Sequence, residues 1–408
     1  MLLFVLAQAA CASPGIEGEE SPTSDRALEP RAPAADGPGS TKLDPARPTG
    51  HLLQEELRQR FDRWLEDPAR YRKTVRAECG RFPEGDLFPY TFPAMAYASL
   101  ALANPSEAQR SLDRMAPLLD QAIAATTART GGRPLLALRD YRGHGTYLGQ
   151  LNLALASWFV IGGDDRYLAL HRHLSRLLAD ALEANEGRPI RSFPGYSWTF
   201  DTVPALASVV AFENTSGDAR RSRALIEAHR RWEGASGTEP DTGLPWSRVS
   251  PDGTRGLAPP RGCDLSWRIA LLASFDRERA EALYRRYVEA FWLDRGVAAG
   301  FAEWPGGGSS RADLDSGPIL WGIGSAATGL GLATIIAMGD EDRLAAVSSQ
   351  VETSRLLLPL ILSRDARTGR QQLGGMIDYD PAYLTGFLYG DATLFYASTW
   401  HEWPSDRR

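Results

Sequence analysis

Residues 146–185 read TYLGQLNLALASWFVIGGDDRYLALHRHLSRLLADALEAN and contain the repeating unit that decides the fold. The segment Thr146 to Ile161 is apolar on most sides, as expected of a buried helix, whereas Asp164 to Asn185 is amphipathic with a charged face. The joint Gly163-Asp164 fits a glycine that ends one helix in the left-handed region and an aspartate that caps the next. The unit is therefore a helical hairpin, which cannot bury its apolar face alone.

The same hairpin recurs along the chain about every 55 to 65 residues, with similar joints at Gly217-Asp218 and Gly339-Asp340. The predicted inner helices are Tyr90 to Ala103, Thr146 to Ile161, Trp198 to Phe212, Asp264 to Phe275, Gly317 to Met338 and Pro381 to Trp400. The predicted outer helices are His51 to Glu66, Ser106 to Thr127, Asp164 to Asn185, Asp218 to Trp232, Asp276 to Leu293 and Asp340 to Ser363. This order predicts an all-α, (α/α)6 toroid without a sheet of more than two short strands.

The N-terminal part of the chain divides into two segments ahead of this domain. Residues 1–11 (MLLFVLAQAAC) are an apolar run, too short to span a bilayer, that ends at Cys11, and they resemble a lipoprotein signal with Cys11 as the lipidated residue. An ordinary signal peptide or a ragged N-terminus is the alternative. Residues 12–50 are rich in Pro, Ala, Gly and Ser and predict a disordered linker. We expect an exported protein, periplasmic or tethered to a membrane, with the barrel over residues 51–408.

Charge and cysteine usage restrict the partners. The chain has 45 basic and 51 acidic residues and a net charge of −6, which argues against a nucleic-acid partner. Cys79 and Cys263 could form a disulfide in an oxidising compartment, but the ring places them on opposite sides, which argues against the bond. The only close histidine pair, His171 and His173, faces different sides of a helix, so the sequence suggests no metal site and no cofactor.

The connections between the helices indicate which end of the ring carries a site. Passages from an outer to an inner helix are long, and in an alternating ring they all emerge on one face. They are Ala128 to Gly145, Glu186 to Ser197, Glu233 to Cys263, Asp294 to Ser316 and Arg364 to Asp380. Loops that a compact domain does not need are usually functional. We expect the site on this long-loop face, beside the N-termini of the inner helices.

Acidic and aromatic residues gather at the predicted cavity mouth. The catalytic candidates are Asp201, Tyr90, Gln150, Asp264 and Glu303, and the substrate-binding candidates are Tyr147, Trp198, Trp246, Trp304, Asp315 and Tyr383. Carboxylates move protons, and aromatic rings exclude water or stack on a sugar. An aspartate at a helix start is more often a cap, which is the competing interpretation for Asp264 and Asp315. Asp201 is the first choice, because Ser197 is the better cap and places Asp201 about one turn inside its helix.

The stretch Gly145-Thr-Tyr-Leu-Gly-Gln-Leu-Asn-Leu153, followed by Gly163-Asp-Asp-Arg-Tyr167, resembles the linalool dehydratase-isomerase family. Similarity extends through Ile190 to Val203, Gly243 to Trp267 and Thr328 to Asp340. The resemblance implies a cofactor-free (α/α)6 enzyme of the bacterial periplasm and a ring-shaped homo-oligomer.

The resemblance also implies site residues, and here the chain departs from the family. Tyr90 matches an active-site tyrosine, but Gln150 stands where the family has a histidine. The two active-site cysteines of the family fall at Ser192 and Asp201, which makes Ser192 a further catalytic candidate. The aspartate and tyrosine that a neighbouring subunit contributes in the family have no counterpart.

Three functions compete. The first is a cofactor-independent lyase or isomerase that acts on an alcohol other than linalool, with Asp201 as acid/base and with Tyr90 and Gln150 orienting the hydroxyl. The second is a glycoside hydrolase or polysaccharide lyase-like enzyme, because other (α/α)6 toroids act on sugars and this mouth is rich in tryptophan and carboxylates. The third is a non-catalytic surface lipoprotein. The substrate would be a small alcohol or a sugar.

Overall fold

The fold consists of alternating buried and amphipathic helices. A computed structural model describes residues 49–80, 82–296, 298–307, 317, 319–350, 362–364, 371–373, 377–379 and 383–403. Its helices are α1 Thr49–Leu65, α2 Pro68–Cys79, α3 Phe88–Ala103, α4 Ala108–Arg129, α5 Gly145–Val160, α6 Leu168–Ala184, α7 Thr202–Ser216, α8 Arg220–Trp232, α9 Gly262–Leu272, α10 Arg277–Phe291, α11 Ser325–Met338 and α12 Leu388–Thr399. Residues 341–350 are also helical.

Six of these helices form a closed inner ring. Helices α3, α5, α7, α9, α11 and α12 each pack on the next, and α12 returns to α3. Their side chains are buried on nearly all sides, as in α5, where only Phe159 of the sixteen residues is not fully buried. A helix that is apolar all round is stable only when neighbours cover every face. The structure therefore confirms the predicted (α/α)6 toroid.

The outer layer is amphipathic, and α1 belongs to it. This helix runs antiparallel to α12, because Gln54 near its start donates to the Ser398 carbonyl and the Phe61 ring stacks on Phe395 further along. Helix α2 was not predicted, although Asp67 and Pro68 form a readable start signal. The Asp67 carboxylate accepts from the Arg70 amide at 3.0 Å and caps this helix.

The short joints follow the predicted chemistry with one correction. Gly217 (φ 76°) and Gly339 (φ 66°) end α7 and α11 in the left-handed region. At the first joint the left-handed residue is Gly162 (φ 88°), not Gly163. Gly163 is small for a different reason, since a Cβ there would lie 2.1 Å from Nε1 of Trp158.

The connections on the long-loop side contain short paired strands. They are β1 Ser197–Trp198, β2 Arg248–Val249, β3 Gly256–Ala258, β4 Trp292–Asp294, β5 Ala299–Phe301, β6 Ile319–Leu320, β7 Ile323–Gly324, β8 Leu362–Arg364, β9 Gln371–Leu373 and β10 Ile377–Tyr379. Two antiparallel sheets have three strands, in the orders β1-β2-β3 and β10-β9-β8. The expectation of no sheet beyond two short strands was wrong, because the long loops satisfy their backbone groups by strand pairing. Most of these pairs lie within one loop, and β1 with β2 joins two loops.

These strands also shorten several predicted helices. Residues 319–324 form a hairpin, so α11 begins at Ser325 rather than at Gly317. Helix α12 begins at Leu388, and Leu362–Arg364 is a strand rather than the end of an outer helix. Helix α7 begins at Thr202, and Ser197 lies in β1 instead of capping it.

The axis of the ring is filled by aromatic side chains. The indole of Trp267 lies at the centre, with ring centroids 5.4 Å from Phe88, 5.0 Å from Phe92 and 5.3 Å from Phe200. Edge-to-face and tilted pairs of this kind stabilise a core beyond the area they bury. Trp267 is thus a core residue, and it separates the two ends of the ring. No helix in the described part of the chain is long and apolar enough to cross a membrane.

Candidate functional site

The long-loop face holds most of the predicted residues. The N-termini of the inner helices all open on this side, so Tyr90, Tyr147 and Asp264 lie in first turns and Gln150 lies in the second turn of α5. Asp201 directly precedes α7 and is only 3 % exposed. Asp315 and Cys11 fall outside the described residues.

Two carboxyl groups, Glu303 and Asp264, come close together at the start of α9. Glu303 is fully buried, and its Oε1 accepts from Nε of Arg261 at 2.5 Å. Asp264 accepts hydrogen bonds from the Ser247 hydroxyl and, at 3.7 Å, from the Cys263 thiol. Arg261 is the N-cap residue of α9, and Asp264 is therefore not the cap. We call these five residues the Glu303 cluster.

The Glu303 carboxyl has an unusual proton affinity. Burial raises its pKa to about 7, against the lowering effects of the Arg261 charge, the Cys263 thiol and the Arg261 hydrogen bond, while the Asp264 charge adds to the rise. Its second oxygen, Oε2, accepts no well-formed hydrogen bond from the described residues. A buried carboxyl with one oxygen free of hydrogen bonds and a pKa near neutrality can give up and take back a proton.

A buried arginine, Arg268, lies beside the Glu303 cluster. Arg268 is 1 % exposed and donates to Glu233 at 2.9 Å and to the Thr199 hydroxyl at 2.7 Å. Burial lowers the pKa of Arg268, and the charges of Glu233, Asp264 and Asp201 oppose this effect. Arg268 therefore electrostatically links the two aspartates. Sequence reasoning missed it, because an arginine on an apolar helix gives no signal of its partner.

A second group of predicted residues lies around α3 and α5. Gln150 donates from Nε2 to the Thr91 hydroxyl at 3.0 Å, while its Oε1 is buried with no hydrogen-bond donor among the described residues. The Tyr147 hydroxyl donates to Asp86, and this raises the pKa of Tyr147 together with burial, the larger cause. Burial likewise raises the pKa of Tyr90 to about 12, with a small contribution from the Asp86 charge. Both tyrosines therefore stay protonated at neutral pH and can donate hydrogen bonds.

The remaining predicted residues have mixed surroundings. Ser192 accepts from the Trp198 amide at 2.8 Å and so organises the turn before β1. Trp198 and Trp304 are half-buried, with the guanidinium groups of Arg248 and Arg261, respectively, 5.6 Å from their rings. Trp246, also half-buried, packs on the Gly256 backbone.

Tyr383 lies apart from the Glu303 cluster. It was expected in the first turn of the last inner helix, but it precedes α12. Its hydroxyl donates to Glu78 at 2.7 Å, and its ring stacks on Trp64. The Asp391 carboxylate accepts hydrogen bonds from the Leu384 and Thr385 amides and so stabilises a bend ahead of the helix. This bend explains why α12 starts late.

Metal ligands do not gather in the described ranges. No group of three or more His, Cys, Asp or Glu side chains is arranged there to hold an ion. Cys79 and Cys263 are both free thiols. His171 is buried in the outer layer, where burial lowers its pKa to about 3 and its ring contacts Asn152.

A cavity at the opposite end of the ring was not predicted. It holds about 50 Å³ of space for water-sized molecules and lies at the C-terminal ends of the inner helices. Its walls are mainly apolar and include Met95, Leu153, Val210, Leu271, Tyr396 and Trp400. The pattern of long loops gave no hint of this short-loop cavity, which depends on small residues such as Ala207.

Comparison with known proteins supports the fold. No family model matches the chain, and the search of curated proteins found no match. A solved structure of an inactive variant of the α-1,6-mannanase GH76A from Salegentibacter sp. HEL1_6, in complex with α-1,6-mannotetrose, aligns at a TM-score of 0.51 and 12 % identity over 86 % of this chain and 99 % of that chain. At this identity the likeness establishes the (α/α)6 fold alone.

Two further solved structures are similar at lower scores. The unsaturated glucuronyl hydrolase from Bacillus sp. GL1 aligns at a TM-score of 0.46 and 13 % identity over 77 % of this chain and 85 % of that chain. A D-mannose isomerase aligns at 0.45 and 14 % identity over 76 % and 86 %. Membership of the linalool dehydratase-isomerase family stays a prediction.

Proposed function

We propose that this protein is a carbohydrate-active enzyme, a glycoside hydrolase or polysaccharide lyase, and that Glu303 and Asp264 are its acid/base pair. The observation that carries the proposal is the buried Oε2 of Glu303, which accepts no hydrogen bond from the described residues and lies next to a second carboxylate on the long-loop face. Two neighbouring carboxyl groups in different surroundings are what cleavage of a glycosidic bond needs.

The surroundings assign different roles to the two groups. Glu303, with a pKa of about 7, is partly protonated near neutral pH and would donate its proton to the leaving oxygen of the sugar. Asp264, oriented by Ser247 and Cys263, would stabilise or attack the opposite side of the sugar, directly or through a water. Trp304 and Trp246 would supply rings for the sugar faces.

The choice of sugar as the first substrate class also draws on the fold. The GH76A α-1,6-mannanase structure contains mannotetrose, so α-1,6-linked mannooligosaccharides belong in the first panel. Alcohol substrates such as terpenoids belong in the same panel, since they separate this proposal from the second one below.

The test is a substrate screen with paired variants. Full-length protein is incubated with labelled oligosaccharides, and products are separated by chromatography. Glu303→Gln and Asp264→Asn should each lower turnover at least a hundredfold. Glu213→Gln is the matched control, because Glu213 is a buried carboxyl that accepts from the Ser222 amide at the short-loop end. Sugar turnover that survives in Glu303→Gln would contradict the proposal.

A second candidate function is cofactor-independent lyase or isomerase chemistry on an alcohol. It is favoured by the buried Oε1 of Gln150, which lacks a donor among the described residues and could accept a substrate hydroxyl. Asp201 would then be the acid/base and Tyr90 a second donor. Loss of alcohol conversion in Asp201→Asn, with full activity in Glu303→Gln, would favour this candidate.

We also propose that the protein is exported and that a lipid on Cys11 anchors it to a membrane. It is supported by the apolar run of residues 1–10 alone. Metabolic labelling with a fatty acid, compared between wild type and Cys11→Ala, tests the anchor.

A further inference from the structure

The tip of the β6–β7 hairpin presents an exposed tryptophan in a strained backbone conformation. Leu320 pairs with Ile323, so Trp321 and Gly322 are the only two residues of the turn. Their φ angles are 51° and 86°, the two positive values of a type I′ turn. Asparagine, aspartate and glycine are the usual residues at the first position, whereas a bulky aromatic residue there is an outlier.

Packing does not explain this tryptophan. Its side chain is 58 % exposed, the largest value among the exposed large hydrophobic residues of the described chain. Local folding would be served better by Asn-Gly, the strongest short hairpin signal. A strained residue that no core contact requires points to a use at the surface.

The hairpin is fixed to the Glu303 cluster. A Cβ added to Gly324 would lie 2.9 Å from both Cβ and Oε2 of Glu303, so the base of the hairpin touches the candidate acid. Ile323 forms a bridge with Ala302, and Gly322 packs against Gly307. Trp321 is three residues from Gly324, and therefore within about 11 Å of it along the chain.

We propose that Trp321 is a sugar-binding platform that extends the substrate site beyond the Glu303 cluster, so that the protein prefers oligosaccharides or polysaccharides to single sugars. The inference rests on the proposed function. The apolar C–H face of a pyranose ring packs on an indole face, and the rigid turn holds that face in place at low entropic loss. Trp304, half-buried beside Glu303, offers a ring closer to the reacting bond.

One substitution in this turn should remove the aromatic ring without destabilising the hairpin. Trp321→Asn creates the preferred Asn-Gly turn, so it should leave the Tm unchanged or raise it while it removes the platform. Trp321→Phe keeps a ring. Leu136→Asn is the matched control, because Leu136 is a non-aromatic residue of similar exposure, 55 %, in another loop of the same face.

The experiment measures binding of the full-length protein to soluble α-mannan, β-glucan, xylan and polygalacturonate by affinity gel electrophoresis. The polysaccharide that retards the wild type should bind Trp321→Asn about three- to tenfold more weakly. Trp321→Phe should lie between, and Leu136→Asn should match the wild type. Turnover of the shortest substrate should be unchanged in Trp321→Asn.

The outcomes separate the two proposals. Equal binding by wild type and Trp321→Asn overturns the platform and leaves the Glu303 mechanism standing. A lower Tm for Trp321→Asn, with unchanged binding, shows a structural role for the ring. If none of the four polysaccharides retards the wild type and none is cleaved, the platform and the proposed function fall together.

Discussion

The buried Glu303 carboxyl should make stability fall as the pH rises towards neutrality. Its folded-state pKa of about 7 lies above the ordinary value of 4.5. A group with a raised folded-state pKa stabilises the protein below the unfolded-state pKa and loses that contribution as the pH rises through the folded-state value. The window for Glu303 is therefore about pH 4.5 to 7.

The size of the effect follows from the two pKa values. Each pH unit between 4.5 and about 7 corresponds to about 1.4 kcal/mol, which gives about 3 kcal/mol in full. Between about pH 5 and pH 8 the loss is about 2 to 3 kcal/mol. No discount for solvent screening applies, because Glu303 is 0 % exposed.

Glu303→Gln removes this titration. The free energy of unfolding, measured by urea titration with tryptophan fluorescence at a series of pH values, should fall less steeply in the variant than in wild type. The difference in the pH 5 to 8 change should be about 2 to 3 kcal/mol.

Asp391→Asn is the control variant, because Asp391 is a second buried carboxyl with a raised pKa. Burial raises the pKa of Asp391 to about 6, so its window lies lower, between 3.8 and about 6. Between about pH 6.5 and pH 8 only the Glu303 variant should differ in slope from wild type. An unchanged slope in Glu303→Gln across that interval would show that Glu303 titrates as an ordinary glutamate and would remove its role as the acid.

Three further predictions concern single residues. The full-length protein should not convert linalool, as measured by gas chromatography, because Gln150 cannot take up a proton as a histidine can and Asp201 replaces a thiol. Clear turnover of linalool would contradict this prediction. Asp67→Ala should lower the free energy of unfolding by about 1 kcal/mol in urea titrations by removing the α2 cap, and a neutral result would show that packing alone holds the helix. Gly163→Ala should lower Tm more than Gly217→Ala, because the new Cβ at Gly163 meets the Trp158 ring, whereas at Gly217 only the left-handed φ of 76° opposes a side chain. Calorimetry showing the reverse order would contradict the packing argument.

The ring itself was predictable because its signal is local. Segments such as Thr146 to Ile161 are apolar all round, and only burial on every side stabilises such a helix. Helix ends next to the long loops were less predictable. The start of α11 shifted to Ser325 because residues 319–324 pair as a hairpin, and no local residue announces that choice.

The candidate site was predictable as a set of residue types and a face, and less so as a set of contacts. Glu303 was selected because it lies on a long loop, but its pairing with Arg261 joins residues 42 positions apart. Arg268 and Asp86 were missed for the same reason. Proton affinity depends on burial and on neighbours that only the tertiary structure assembles.

The antiparallel packing of α1 on α12 determines from which side the domain can be held. Gln54 meets Ser398 at the end of the inner helix, so the described chain begins at the short-loop end, away from the Glu303 cluster. A surface, resin or fusion partner joined directly to Thr49 would therefore lie at the short-loop end, with the long loops pointing away from it. Immobilised protein should then reach large, insoluble substrates as readily as small soluble ones.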